Sequence, residues 1–344
     1  MNEILSRKET WNKFLFFNNE EVRYIIKIDY YKDLPERPIP CHDNVSKRID
    51  WALRKYEMQM KQLNWLNDDK VPYLDVYTGT EIFAEAFGCK VQRPENDMPF
   101  ALPLIKSANE VNKIEVPTIN DTPLKEIFFI ADELKKRAEK DAIFKLPDIQ
   151  TPMDIAALIW DKSDFFMAMI ESPKAVKQLS AKVKTLLFEF LDKWFARYGK
   201  ELVAHYPDYY LPQGVTLSAD EIGTINNDMF NKYFLPELKE TSLRYQGLGI
   251  HCCANSRHQW KHIKKIPGLK LLNLVQPKEV LKEAYSYFAD FVPQMHSWVG
   301  DGRPETWMEN YPENAKVVIE VKADSKDNAK RLADELKLAC DKIK

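Results

Sequence analysis

Glycine is scarce in this chain. Its 344 residues include ten glycines. None falls in a G-x-G-x-x-G or G-x-x-x-x-G-K-[ST] pattern, so a glycine loop cradling nucleotide phosphates has no support. Long apolar runs are missing too, and none reaches the ~18 residues of a membrane span. The opening "MNEILSRKETWNKFLFF" is charged and has no signal-peptide core or small-residue cleavage site. Charge of one sign is also lacking. Fifty Lys and Arg face 52 Asp and Glu, for a formal net charge of −2, which removes the electrostatic case for nucleic acid. The five cysteines (Cys41, Cys89, Cys252, Cys253 and Cys340) are odd in number and show no framework spacing. A disulfide scaffold is therefore not expected. The expectation is a cytoplasmic protein with no membrane or nucleic-acid partner.

What is present is ordinary globular composition, 45% hydrophobic and 30% charged. Residues 1–70 read as polar and helical, broken by the proline loop "DLPERPIPCHD" at 33–43. From residue 71 short apolar runs alternate with amphipathic stretches. The runs are "VPYLDV" (71–76), "AIFKLP" (142–147), "GVTLSA" (214–219), "LGIHCC" (248–253), "LKLLNLV" (269–275), "FVPQMH" (291–296) and "KVVIEV" (316–321), with "RYIIKID" (23–29) before them. Helical patterns cover 173–199, 226–246, 277–290 and 325–344. Alternating β and α elements predict a parallel sheet. About eight strands favour a (β/α)8 TIM barrel over an open sheet. The expected organisation is an N-terminal helical and loop extension over 1–70, packed on a barrel over 71–344, as one domain.

Barrel sites lie at the C-terminal ends of the strands. The polar residues there are Asp75 and Tyr77, Gln150 and Thr151, Asp220 and Glu221, His251 and Cys253, Gln276, and His296. On a strand, His251 and Cys253 point the same way, and imidazole plus thiolate is a ligand pair that zinc accepts. A third ligand would come from a carboxylate at the mouth: Asp220, Glu221 or, as the lesser candidate, Asp75. Cys340 lies about 15 residues into the last helix, which carries it roughly 20–25 Å toward the opposite end. Asp75, Asp220 and Glu221 are the candidate catalytic carboxylates. Tyr77, Gln150, Gln276, His296 and Arg303 are the candidate substrate-binding residues.

Each reading has a plainer rival. Cysteine often fills core, and acids favour helix N-termini. His258 and His262, in "RHQWKHIKK", read as a solvated face. The tyrosine-rich "YPDYYLP" (206–212) is either a loop over the site or packing.

Four segments resemble the uroporphyrinogen decarboxylase superfamily, which includes corrinoid-dependent methyltransferases. They are "YTGTEIFAEAFGCKV" (77–91), "DIQTPMDIAALIWDKSDFFMAMIESPKAV" (148–176), "GVTLSADEIGTINNDMFNKYFLPELKET" (214–241) and "IHCCANSRHQWKHIKKIPGLKLLNL" (250–274). They occur in the family's order and cover roughly residues 70–280. The resemblance implies a barrel with chemistry at its C-terminal mouth. In the methyltransferase branch, H-x-C-G and a later cysteine hold zinc, and a thiol takes the methyl of a methyl-corrinoid. His251 and Cys253 stand at the H-x-C. Ala254 replaces the glycine, and the last-strand region, "VVIEVKADSKDNA", has no cysteine. In the metal-free decarboxylase branch, an aspartate holds the pyrrole nitrogens of a tetrapyrrole, and Asp75 matches it. That branch's N-terminal arginine motif is absent.

Three functions follow as expectations. The first is a zinc-assisted methyltransferase acting on a small molecule and a methyl-corrinoid carried by a partner protein. The second is a cofactor-free decarboxylase of uroporphyrinogen or a related acid. The third is a non-catalytic corrinoid- or tetrapyrrole-binding accessory protein. The resemblance also makes a homodimer an expectation.

Overall fold

The computed structural model describes residues 3–16, 21–32, 34–95 and 97–342. Its strands are β1 (Tyr24–Asp29), β2 (Tyr73–Asp75), β3 (Val91–Gln92), β4 (Phe100–Ala101), β5 (Ile143–Lys145), β6 (Leu202–Val203), β7 (Tyr210–Leu211), β8 (Val215–Ser218), β9 (Leu248–Cys252), β10 (Leu269–Leu274) and β11 (Val317–Lys322). The chain is an α/β protein. Seven of the eight apolar runs form strands, and β1–β11, β8–β9–β10 and β2–β5–β6 pair in parallel. The expected helices form at Pro173–Tyr198, Lys278–Phe288 and Lys326–Asp341. No helix of the described residues is long and apolar enough to cross a membrane.

Shorter contacts join these groups of strands. Gln294 bridges both Leu272 and Val317, and Gln150 bridges Ser218. Between β1 and the chain entering β2, side chains replace a ladder. The Ile26 amide donates to Asp69 Oδ2 at 2.7 Å and the Ile28 amide to Asp68 Oδ2 at 3.1 Å. The Asp69 amide returns a bond to the Ile26 carbonyl at 2.7 Å. Arg7 clamps Asp68 at 2.6 Å and Lys337 clamps Asp69 at 2.5 Å.

Three expectations need correction. Residues 1–70 are more than an extension, because β1 lies within them and pairs with β11 from Tyr24↔Val317 to Asp29↔Lys322. The run 291–296 gives no regular strand, since Pro293 has no amide to donate to a ladder and Gln294 alone bridges. The helix over 226–246 is broken by a π-helical turn at Phe230–Phe234. Pro236, just beyond it, lacks the amide that an α-helix would bond four residues back.

Alternation along the strands sorts the side chains. Tyr24, Ile26 and Ile28 of β1 and Val317 and Ile319 of β11 pack with Leu332 and Leu336 of the last helix. The other face of the same strands carries Lys27, Asp29, Glu320 and Lys322. Helix Pro173–Tyr198 starts with proline in its first turn and stops at Gly199, whose φ of +92° suits glycine. Its buried stripe of Leu187, Phe190, Leu191 and Trp194 backs onto β5, with Trp194 5.7 Å from Phe144 between ring centroids.

Two outcomes follow. Asp69→Ala leaves the buried Ile26 amide without its acceptor, so urea unfolding should show a loss of about 2–3 kcal/mol; a loss below about 0.5 kcal/mol would contradict the side-chain link. Glu81 is buried with Oε2 lacking a partner among the described residues. Burial pushes its carboxyl from the usual 4.5 up to about 7. The folded state therefore keeps the proton in that window, and stability should fall as pH rises from 4.5 to 7. The fall should be about 3 kcal/mol in total and absent in Glu81→Gln; equal pH profiles for both proteins would refute it.

Candidate metal centre

The parallel register of β8 and β9 sets Ser218 beside His251. Two residues on, the strands stay zipped. The Ala219 amide donates to the His251 carbonyl at 2.8 Å, and the Cys253 amide donates to Asp220 Oδ1 at 2.7 Å. As a result one ligand atom each from Asp220, His251 and Cys253 lies within 4.8 Å of the others. Cys252 turns the other way, is buried, and donates to the Ala254 carbonyl. Ala254 packs against Gly223. A Cβ on residue 223 would lie 2.5 Å from the Ala254 methyl.

His251 is held in one orientation. Asn273 donates its amide to the Met295 carbonyl, which leaves Asn273 Oδ1 to accept from His251 Nδ1 at 2.5 Å. The proton therefore sits on Nδ1, and Nε2 keeps its lone pair. Burial lowers the histidine pKa, which favours the neutral ring. The Cys253 thiol is pushed up to about 12, first by burial and then by the Asp220 carboxylate beside it. Gln276 Nε2 donates to the Cys253 carbonyl at 2.9 Å. The loop carrying Asp220 is pinned from below. Asp154 Oδ1, fully enclosed, accepts the amides of Asp220 and Glu221 at 2.8 and 2.9 Å.

A cavity of about 610 Å³ opens beside this cluster. Asn273 and Tyr206 line it, and both touch His251, Tyr206 through its ring at 4.8 Å. Opposite them lie groups the sequence reading missed. Lys55 pairs with Asp75 at 2.6 Å, Lys145 with Asp208 at 2.8 Å, and Lys27 with Glu320 at 2.5 Å. Asp208 is held well below the usual carboxylate range, because Lys145, Lys55 and Lys27 outweigh its burial. It comes from the β6–β7 hairpin, whose tip also plants His205 against Asp148 at 2.8 Å and against Thr216 and Ser218. The signal was available: a lysine inside an apolar strand, as in "RYIIKID" or "AIFKLP", has to find a partner. The tyrosine-rich stretch is thus a loop over the site and packing at once.

The remaining candidates divide. Asp75 is near the cavity but engaged: Lys55, Lys145 and the Tyr77 amide hold it, and the lysines overcome burial to keep its pKa low. Tyr77 has φ +27°, a strained value for an aromatic residue. Arg48 stabilises it through the Val76 and Tyr77 carbonyls at 3.0 and 2.8 Å. The Tyr77 ring lies 3.6 Å beneath the Arg37 guanidinium, which lines the cavity. His296 lines it too; burial drops its pKa to about 3, so it is neutral, and it bonds the Leu274 amide and Gln294. Gln150 bridges Ser218 and has a buried Oε1 without a partner among the described residues.

Two candidates fall away from the site. Glu221 is turned to Lys162 at 2.6 Å, so it is not in the ligand cluster. The Arg303 side chain is 80% exposed beside Glu305 and does not line the cavity. Cys340 sits with Arg23 and Tyr24 at the start of β1, the end away from Asp29 and the cavity. A separate groove of about 490 Å³, lined by Asp192, Arg244 and Tyr245, lies before β8 and β9 begin and holds no metal-ligand cluster among the described residues.

Comparison with known proteins agrees with this architecture. Among solved structures the chain resembles a methyltransferase from Methanosarcina mazei, with a TM-score of 0.68 over 98% of both chains and 11% identity. No curated protein matches the sequence significantly. Residues 74–289 match the family model of uroporphyrinogen decarboxylase (URO-D). The chain, through this match over more than half its length, belongs to the uroporphyrinogen decarboxylase family.

Proposed function

We propose that the chain is a zinc-assisted methyltransferase built on a (β/α)8 barrel. The staves would be β1, β2, β5, β8, β9, β10, the segment around Gln294, and β11. The circuit of contacts from β1 through Gln294 and Gln150 back to Asp69 supports closure. The observation that carries the functional reading is the Asp220–His251–Cys253 cluster. It completes the H-x-C pair with a carboxylate, where the family's methyltransferase branch uses a later cysteine.

The donor set fits zinc. One nitrogen, one sulfur and one oxygen match its borderline softness, and three protein ligands leave a position for substrate. Zinc held there would supply Lewis acidity that keeps an acceptor thiol ionised near neutral pH. The chain's own residues do the rest. Asn273 fixes the histidine tautomer, Asp154 orients the Asp220 loop, and the Tyr206 ring shields His251 from water. The cavity beside the cluster receives the acceptor. A methyl-corrinoid is the proposed donor: the sulfur–carbon bond forms as the cobalt–carbon bond breaks, cobalt keeps the electron pair, and the thiol proton leaves to water. The decarboxylase alternative has less support, since the Asp75 carboxylate is bound by two lysines and an amide.

Elemental analysis of protein purified without chelators should find about one zinc per chain, absent in His251→Ala and Cys253→Ala. No zinc after reconstitution would overturn the reading. Asp154→Ala should keep the fold yet weaken zinc affinity about 10–100-fold, as loss of a group that orients a ligand does. Unchanged affinity in a chelator competition would show that Asp154 does not set the site.

A further inference from the structure

The cavity beside the cluster is lined by charges of both signs, and its spare binding capacity is split between them. Arg37 contributes a guanidinium that, among the described residues, has the Tyr77 ring beneath it and no hydrogen-bond or ion-pair partner. Asp29 and Glu320 contribute the opposite sign. Asp29 meets Lys70 through Oδ1 at 3.0 Å, and Glu320 meets Lys27 through Oε1 at 2.5 Å. In each carboxylate the second oxygen has no hydrogen-bond or ion-pair partner among the described residues, and the side chains keep 23% and 30% exposure. Of the other cations nearby, Lys55 is answered by Asp75 and Lys145 by Asp208, while Lys322, exposed at the end of β11, adds an ammonium to the rim.

These groups rank the thiols that could enter. A thiol bearing only an anion would answer Arg37 and face Asp29 and Glu320 with like charge. A thiol bearing only a cation would leave Arg37 unanswered. A neutral thiol would answer neither. Resting on the methyltransferase reading, we propose that the acceptor is an amino-acid thiol, its carboxylate on Arg37 and its ammonium on the carboxylates of Asp29 and Glu320. Charge-assisted pairs of both signs are then made at once, and Arg suits a planar carboxylate. The β1–β11 wall supplies the acids, so the specificity pocket and the ligand cluster sit on different strands of one sheet system.

Cobalt(II) in place of zinc gives an absorption spectrum that changes when a thiolate sulfur joins the metal. The cobalt-loaded protein is titrated with L-homocysteine, L-cysteine, 3-mercaptopropionate, cysteamine and 2-mercaptoethanol. At least one amino-acid thiol should bind about tenfold or more tighter than each single-charge probe, the scale of one charge-assisted bond. Arg37→Ala should bring it to the level of cysteamine, and Asp29→Asn toward that of 3-mercaptopropionate, with 2-mercaptoethanol unchanged in both. Equal or tighter binding of 3-mercaptopropionate would overturn the inference and leave the metal reading standing. So would variants that weaken every probe alike. Failure to take up cobalt is seen before any thiol is added, and would overturn the metal reading and this inference together.

Discussion

The parallel register of two adjacent strands is the constraint on which the site depends. Ser218 beside His251 fixes where β8 and β9 end, and the bond from the Cys253 amide to Asp220 carries the alignment one step beyond. With a side-chain period of two, that register aims Asp220, His251 and Cys253 to one side. A slip of one residue in β9 would turn His251 and Cys253 away from Asp220. Asp154 and Asn273 then act on the result, one through the loop amides and one through the ring nitrogen.

The second constraint is the cost of burying charge. Lys27, Lys55 and Asp75 are buried, and Lys145 and Asp208 half-buried, where an apolar interior would be more stable. Each meets an opposite partner at close range. The β6–β7 hairpin is what makes this hold, because its Asp208 faces the lysines and its His205 faces Asp148. A shaped polar cavity results, rather than a filled core. Tyr77, strained and held by Arg48, belongs to the same design: its backbone departs from the strand so that its ring can support Arg37.

Much of this was legible in the sequence, for physical reasons. The apolar runs that became strands are buried on at least one face and bounded by turn residues. The H-x-C pair was legible because strand alternation is a local property, and Asp220 because it closes the neighbouring run. The losses came from tertiary choices. Glu221 and Asp220 are adjacent acids, and nothing local says that one meets Lys162 and the other Cys253. Arg303 was a binding candidate, but its side chain stays exposed beside Glu305. The β6–β7 hairpin has strands of two residues, too short for any periodicity. Pro293 and Pro236 were visible signs against a regular strand and an unbroken helix, and each marks the place where the regular element fails.

The most direct test of the central claim is X-ray absorption at the zinc edge of the reconstituted protein, beside Cys253→Ser. A first shell of one sulfur at about 2.3 Å with nitrogen and oxygen neighbours, its sulfur lost in the variant, is the predicted result. A shell of oxygen and nitrogen alone in the parent protein, or a spectrum indifferent to Cys253, would contradict the account.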